Sequence, residues 1–226
     1  MKEYRQSRFT RPPGATEILL VRHGESRAHT PDEPFPLVDG HGDPELSDLG
    51  HEQALRVGER LKREPIDAIY VTSLRRTVET AAPLAGHLGI EPVVERDLRE
   101  VHLGEWEGGL LRIKVHENDP IALKMREEER WDVIPGAESH DSIQRRVKGA
   151  LARIVKAHPD QMVAAFVHGG IVAHILAQAA QSRPFAFNGA DNGSISHIVV
   201  VQDRIIVRRF NDSAHLADIG TDNAMT

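Results

Sequence analysis

Glu17-Ile18-Leu19-Leu20-Val21 runs directly into Arg22-His23-Gly24-Glu25-Ser26. After its opening glutamate the first stretch is continuously apolar, with no polar alternation. That is the pattern of a strand covered on both faces, as in a parallel sheet under helices. The second stretch is a polar turn carrying an arginine, a histidine and a glycine. In open parallel sheets, ligands bind beyond the carboxyl ends of the strands. A strand that stops abruptly in such a turn therefore points to a site as well as to a fold.

The same unit recurs twice. Residues 68–71 read as a short strand before Thr72-Ser73-Leu74-Arg75-Arg76, and 162–167 as a buried strand before His168-Gly169-Gly170. Helices fall between them. Ser47 caps one running to about residue 63, with Ala54, Val57, Gly58 and Leu61 on one face. Residues 73–87 form the next, and 93–94 mark another short strand. Ser139 caps a helix carrying Ile143, Val147, Ala150, Leu151 and Ile154, and 170–180 form a further one. Two closing strands, 194–201 and 204–210, meet at Gln202-Asp203. Residues 30–43 hold five prolines and glycines without periodicity and read as a loop. Residues 110–131 suggest two short surface helices broken at Pro120. Strands alternating with helices predict an α/β fold, a three-layer sandwich with a mostly parallel central sheet flanked by helices. We expect a single domain over 17–216, a flexible leader at 1–16 and a disordered tail at 217–226.

Composition narrows the function. The 226 residues are 40% hydrophobic but only 4% aromatic, so the core is aliphatic. The net charge of −6 offers no basic surface for nucleic acid or an anionic membrane. No cysteine is present, which excludes disulfides, thiolate metal sites and cysteine nucleophiles and fits a cytoplasmic protein. The leader has no apolar segment of the kind a signal peptide needs, and no apolar run is long enough to span a membrane. Of the 13 histidines, His51, His87, His140 and His158 lie on or beside polar helix faces. His168 and His174 are six apart, which separates them on a helix. We therefore expect no metal and no cofactor.

The three polar turns should meet at one edge of the sheet, where they bring two histidines, several arginines and helix N-termini together. That is an anion site, and its chemistry favours phosphate. A phosphate ester repels a nucleophile. Opposite unit charges about 4 Å apart attract by roughly 4 kcal/mol at an effective dielectric of 20, so two arginine forks offset much of that repulsion and fix the oxygens. A neutral imidazole can then attack phosphorus in line. A second imidazolium, from His168, would stabilise developing charge. Glu100 or Glu105 could protonate the leaving alkoxide. Taken singly, each of these residues could equally be a polar turn or a solvated helix start.

Taken jointly, they resemble the histidine phosphatase superfamily in its phosphoglycerate-mutase-like branch, over nearly the whole chain. Leu20-Val21-Arg22-His23-Gly24-Glu25-Ser26 is similar to the family's RHG signature, which implies His23 as the phosphorylated histidine and Arg22 beside it. Thr72-Ser73-Leu74-Arg75-Arg76-Thr77-Val78-Glu79-Thr80-Ala81 resembles S-x-L-x-R-A-x-Q-T-A, in whose register Arg76 rather than Arg75 binds phosphate. Leu98-Arg99-Glu100 resembles the motif of the general acid. Val167-His168-Gly169-Gly170 resembles the second histidine motif, and Pro135-Gly136-Ala137-Glu138-Ser139 the family's P-G-x-E-S segment. The resemblance implies Ser26, His29 and Gly169 as further phosphate or substrate positions. His29 departs from the pattern, because many members carry an asparagine there.

The implied activity is hydrolysis of small phosphate monoesters through a phosphohistidine. One alternative is a mutase that returns the phosphoryl group to its substrate. Another is a non-catalytic phosphate-binding module. In the mutases a tyrosine follows three residues after the acid, and a lysine eight further on. Here Leu103 and Leu111 stand at those positions, and Glu105 and Glu107 add negative charge. Arg112 and Lys114 leave a route for a cation. The partners expected are a small phosphorylated substrate and, through an exposed sheet edge, a second copy of the chain as a homodimer.

Overall fold

The computed structural model describes residues 3–219. Four strands run parallel: β1 (Thr16–Arg22), β4 (Ile66–Val71), β5 (Val93–Val94) and β6 (Met162–Val167). Two antiparallel strands, β7 (Ile195–Val201) and β8 (Arg204–Asp212), complete a six-stranded sheet of order β5-β4-β6-β1-β7-β8. A separate two-stranded hairpin pairs β2 (Leu37–Val38) with β3 (His41–Gly42).

Side chains alternate across a strand, so β1 feeds two cores. Ile18 and Leu20 pack with α5 (His140–Ala157) and α6 (Gly169–Ala180) on one face. Leu19 and Val21 pack with α1 (Asp48–Leu61) and α2 (Arg75–Leu88) on the other. The result is the expected three-layer α/β sandwich. Ser47 and Ser139 cap α1 and α5 by accepting from Gly50 N and Ser142 N, at 3.1 and 3.3 Å.

Three regions differ from the sequence reading. The segment 30–43 contains the β2–β3 hairpin, whose turn residues Asp39 and Gly40 have φ of 49° and 82°. This is the backbone that an Asp-Gly hairpin turn requires. Helices α3 (Leu110–His116) and α4 (Pro120–Glu128) form as expected, but they enclose a third small core of Trp106, Ala122, Met125 and Ile134. Finally, both chain ends are more tied than expected. Gly14 N donates to Asp160 Oδ1 at 2.6 Å and Ala15 is fully buried. Past residue 216, Ile219 is buried and its N–H donates to Leu216 O at 3.1 Å. Residues 220–226 of the expected tail lie outside the described residues.

Candidate active site

The carboxyl ends of β1, β4 and β6 converge, as three adjacent parallel strands must. They bring the rings of His23 and His168 to a centroid distance of 5.2 Å, edge to face. Both side chains are buried, and so is Arg76. The turn after β1 is pressed onto α1 with no side chain between them. A β-carbon at Gly24 would lie 2.5 Å from Gly50 O, and one at Gly50 would strike Glu25 O. Asn192 Nδ2, from the turn before β7, donates to His23 O at 2.9 Å and holds that backbone from the other side.

The hydrogen bonds of His23 assign its tautomer. Nδ1 lies 2.7 Å from Gly24 O, and a carbonyl only accepts, so Nδ1 carries the proton. Nε2 then holds the lone pair. Arg76 Nε, which only donates, points at that atom from 3.2 Å. Burial, with help from Arg76 and Arg22, pushes the His23 pKa well below the ordinary histidine value and keeps the ring neutral. His168 is depressed in the same way by burial, Arg76 and His23. Its Nε2 lies 3.1 Å from Thr72 Oγ1, and its buried Nδ1 has no protein partner.

The two arginines of the β4 turn have opposite surroundings. Arg76 also donates from Nη1 to Gly42 O in β3 at 2.9 Å. Burial lowers its pKa to about 10, against the pull of Glu100, Asp43 and Glu107. It remains a cation at neutral pH. Arg75 is half exposed and pairs with Glu79 and Glu45 at 2.9 and 3.3 Å. Arg22 donates to Ala190 O, and its guanidinium packs against Gly169, where a β-carbon would come within 3.4 Å of Nε.

Glu100 lies across the start of α6. Its Oε2 accepts from Gly170 N at 3.2 Å and its Oε1 from Val101 N at 2.9 Å. A β-carbon at 170 would lie 2.6 Å from Glu100 Oε1, so a larger residue there would displace the carboxylate. Glu105 is exposed. Glu107 accepts from Gly42 N and Leu103 N at 2.7 and 2.8 Å, so it ties the hairpin to the segment that carries Glu100. Leu103 and Leu111 pack into the small third core and offer no polar group.

Ser26 is buried, and its hydroxyl accepts from Arg112 Nη2 at 2.7 Å. Arg112 Nη1 donates to Arg27 O at 2.8 Å, and the guanidinium lies 4.9 Å from the Phe35 ring centroid. Arg112 is close enough to help depress His23, Arg22 and Arg76. Lys114 is turned away onto Asp119 at 2.8 Å. His29 packs edge to face on Phe35 with ring centroids 5.2 Å apart, and it crowds Gly109. It is not brought against His23 or Arg76. Asn192 and the Gly42 carbonyl carry no signal in the sequence. Thr72 does, as the first residue after β4.

The model of the histidine phosphatase superfamily (branch 1) matches residues 18–213. The chain belongs to that family. It is 38% identical over 211 residues to phosphoglycerate mutase-like protein 4 of Arabidopsis thaliana, covering 90% of this chain and 88% of that one. It is 32% identical over 212 residues to phosphoserine phosphatase 1 of Hydrogenobacter thermophilus, covering 89% and 95%. Among solved structures it is similar to the native mycobacterial glucosyl-3-phosphoglycerate phosphatase. The TM-score there is 0.72 at 25% identity, over 88% of this chain and all of that one.

Proposed function

We propose that this chain, a phosphatase of the histidine phosphatase superfamily, moves the phosphoryl group of a small monoester onto His23 Nε2 and then to water. One observation carries the reading. His23 presents a neutral Nε2 lone pair, with its proton held on Nδ1 by Gly24 O, directly to the Arg76 guanidinium. A phosphoryl group bound between them would replace that contact, with Arg76 and Arg22 on its oxygens and Nε2 in line with phosphorus. As the P–N bond forms and the P–O bond breaks, the leaving alkoxide takes a proton from Glu100. In the second half, water attacks the phosphohistidine, Glu100 accepts its proton, and Nε2 leaves with its electron pair. His168 faces charge on the oxygens in both steps and gains a proton more readily once the dianion is present.

Hydrolysis rather than mutase chemistry is supported by Leu103 and Leu111, which give a substrate carboxylate no partner. The extra acids add less than their number suggests, since Glu105 is exposed and Glu107 is committed to two backbone N–H groups. The cation at hand is Arg112, two of whose five N–H groups are engaged. It suits a second anionic group on the substrate, and phosphoserine is accordingly an early choice in a substrate screen. No helix among the described residues is long and apolar enough to cross a membrane. The deciding assay is incubation with 3-phosphoglycerate and a catalytic amount of 2,3-bisphosphoglycerate, beside a panel of phosphate esters. We expect phosphate release without isomerisation. Interconversion with 2-phosphoglycerate faster than phosphate release would overturn the phosphatase reading.

A further inference from the structure

The Pro135-Gly136-Ala137-Glu138-Ser139 segment is the family motif that the chemistry above leaves without a use. Its glutamate meets Arg146, eight residues on and two turns into α5. Arg146 Nε and Nη2 form a two-pronged contact with Glu138 Oε1 and Oε2, at 2.9 and 2.8 Å. The rest of the guanidinium points at backbone. Nη1 donates to Asp97 O at 2.8 Å and to Arg99 O at 2.6 Å, and Nη2 donates to Glu100 O at 3.1 Å. All five N–H donors of an arginine are thus matched by five acceptors. Three of the five are consecutive or near-consecutive carbonyls ending on Glu100 itself.

Glu138 is held as firmly. Ser142 Oγ donates to its Oε1 at 2.9 Å, and Glu138 N donates to His102 O at 2.8 Å. Burial works against the carboxylate, but hydrogen bonds and charge from Arg146, with Ser142, outweigh it and hold its pKa below the ordinary value. It therefore stays ionised at neutral pH, so the fork persists there. Both side chains are largely buried, at 17% and 12% exposure.

We propose that Arg146, braced by Glu138, is a positioning residue that fixes the proton-donating carboxyl of Glu100. This rests on the reading of Glu100 as the acid. Glu100 Oε1 is bonded to the N–H of its own neighbour, Val101, so the carboxyl moves with its backbone. The segment around it is irregular: one turn of 3-10 helix at Arg96–Leu98, then extended chain with no sheet partner. Without an outside anchor, nothing in its own backbone hydrogen bonding fixes it to a fraction of an ångström. Arg146 supplies that anchor from a long helix whose apolar stripe is buried. Lysine could not replace it, because a point charge lacks the planar fork.

The test compares kcat/KM, which reports phosphorylation of the enzyme, for an alkyl phosphate and for p-nitrophenyl phosphate. The alkyl alkoxide needs a proton from an acid, and p-nitrophenolate does not. The variants are Arg146→Lys, Glu138→Gln and Glu100→Gln, each checked for folding by circular dichroism. A misplacement near 1 Å costs up to about 100-fold in rate. We expect Arg146→Lys to lose about that much on the alkyl ester and under about 3-fold on p-nitrophenyl phosphate, with Glu138→Gln showing the same selectivity at about 10-fold. Should Arg146→Lys fail to fold, the selectivity of Glu138→Gln decides. Equal losses on both esters in the folded variants, with Glu100→Gln still selective, would overturn the positioning role and leave the acid in place. Equal losses in Glu100→Gln would instead remove the acid reading on which the proposal rests.

Discussion

The site has two walls of different origin. One is the rim of the sheet: His23 and His168 directly follow β1 and β6, and Arg76 stands in the first turn of α2, after β4. Their spacing follows from strand geometry, and Gly24 and Gly50 bring the two backbones so close that a β-carbon at either would strike a carbonyl. The other wall is the run from Leu98 to Ser139, which leaves the sheet and returns to it. Its backbone has little regular pairing, so the proposed acid depends on contacts from elsewhere: Arg146 and Glu107 on its backbone segment, and Gly170 N on its carboxylate. The rim is rigid by topology, and the acid wall is rigid by hydrogen bonds. Substitutions in the two should therefore fail differently: the rim on every substrate, the acid wall according to the leaving group.

The largest loss is expected at the centre of the rim. His23→Ala removes the proposed nucleophile and should lower kcat by at least about 10⁴-fold with any ester. Retention of a tenth of the wild-type rate would break the assignment. Next comes the neighbouring pair on α2. Arg76→Ala should cost about 10² to 10³-fold, as loss of a buried donor at a charged transition state does. Arg75→Ala, whose guanidinium faces Glu79 and Glu45 at the surface, should stay within about 3-fold. Equal kinetic losses in the two would erase the distinction between rim and surface. Glu100→Gln should cost about 10²-fold in kcat/KM on an alkyl phosphate and far less on p-nitrophenyl phosphate. A uniform loss would make the acid wall behave like the rim. Arg112→Ala should have the smallest effect, raising KM about 10-fold for a substrate with a second anionic group and leaving kcat near wild type. A loss confined to kcat would put Arg112 in the chemistry instead.

The same contrast decides what the sequence could reveal. Strand ends are legible, because an apolar run stopping in a polar turn marks both the strand and its ligand edge. That is how β1, β4 and β6 and their histidines and arginines could be read together, and why Ser47 and Ser139 were visible as caps. The hairpin at Asp39-Gly40 carried its own turn signal, yet strands of two residues are too short for any periodicity. Its role in holding Arg76 through Gly42 O depends on a contact 34 residues away in sequence. Arg146 looked like any basic residue beside the apolar stripe of α5, since a side chain's backbone acceptors leave no trace in composition. The third core was equally hidden. Trp106, Met125 and Ile134 are spread over three elements, none of which has an apolar face long enough to announce burial.

The central claim is that the phosphoryl group passes through His23 Nε2. It is tested most directly by mixing enzyme with an excess of a phosphate ester, quenching within milliseconds, and mapping the protein-bound phosphate by mass spectrometry. The expected result is acid-labile, base-stable phosphate on His23, bonded through Nε2 and absent from His23→Ala. Label on another residue, or label that persists in His23→Ala, would contradict it.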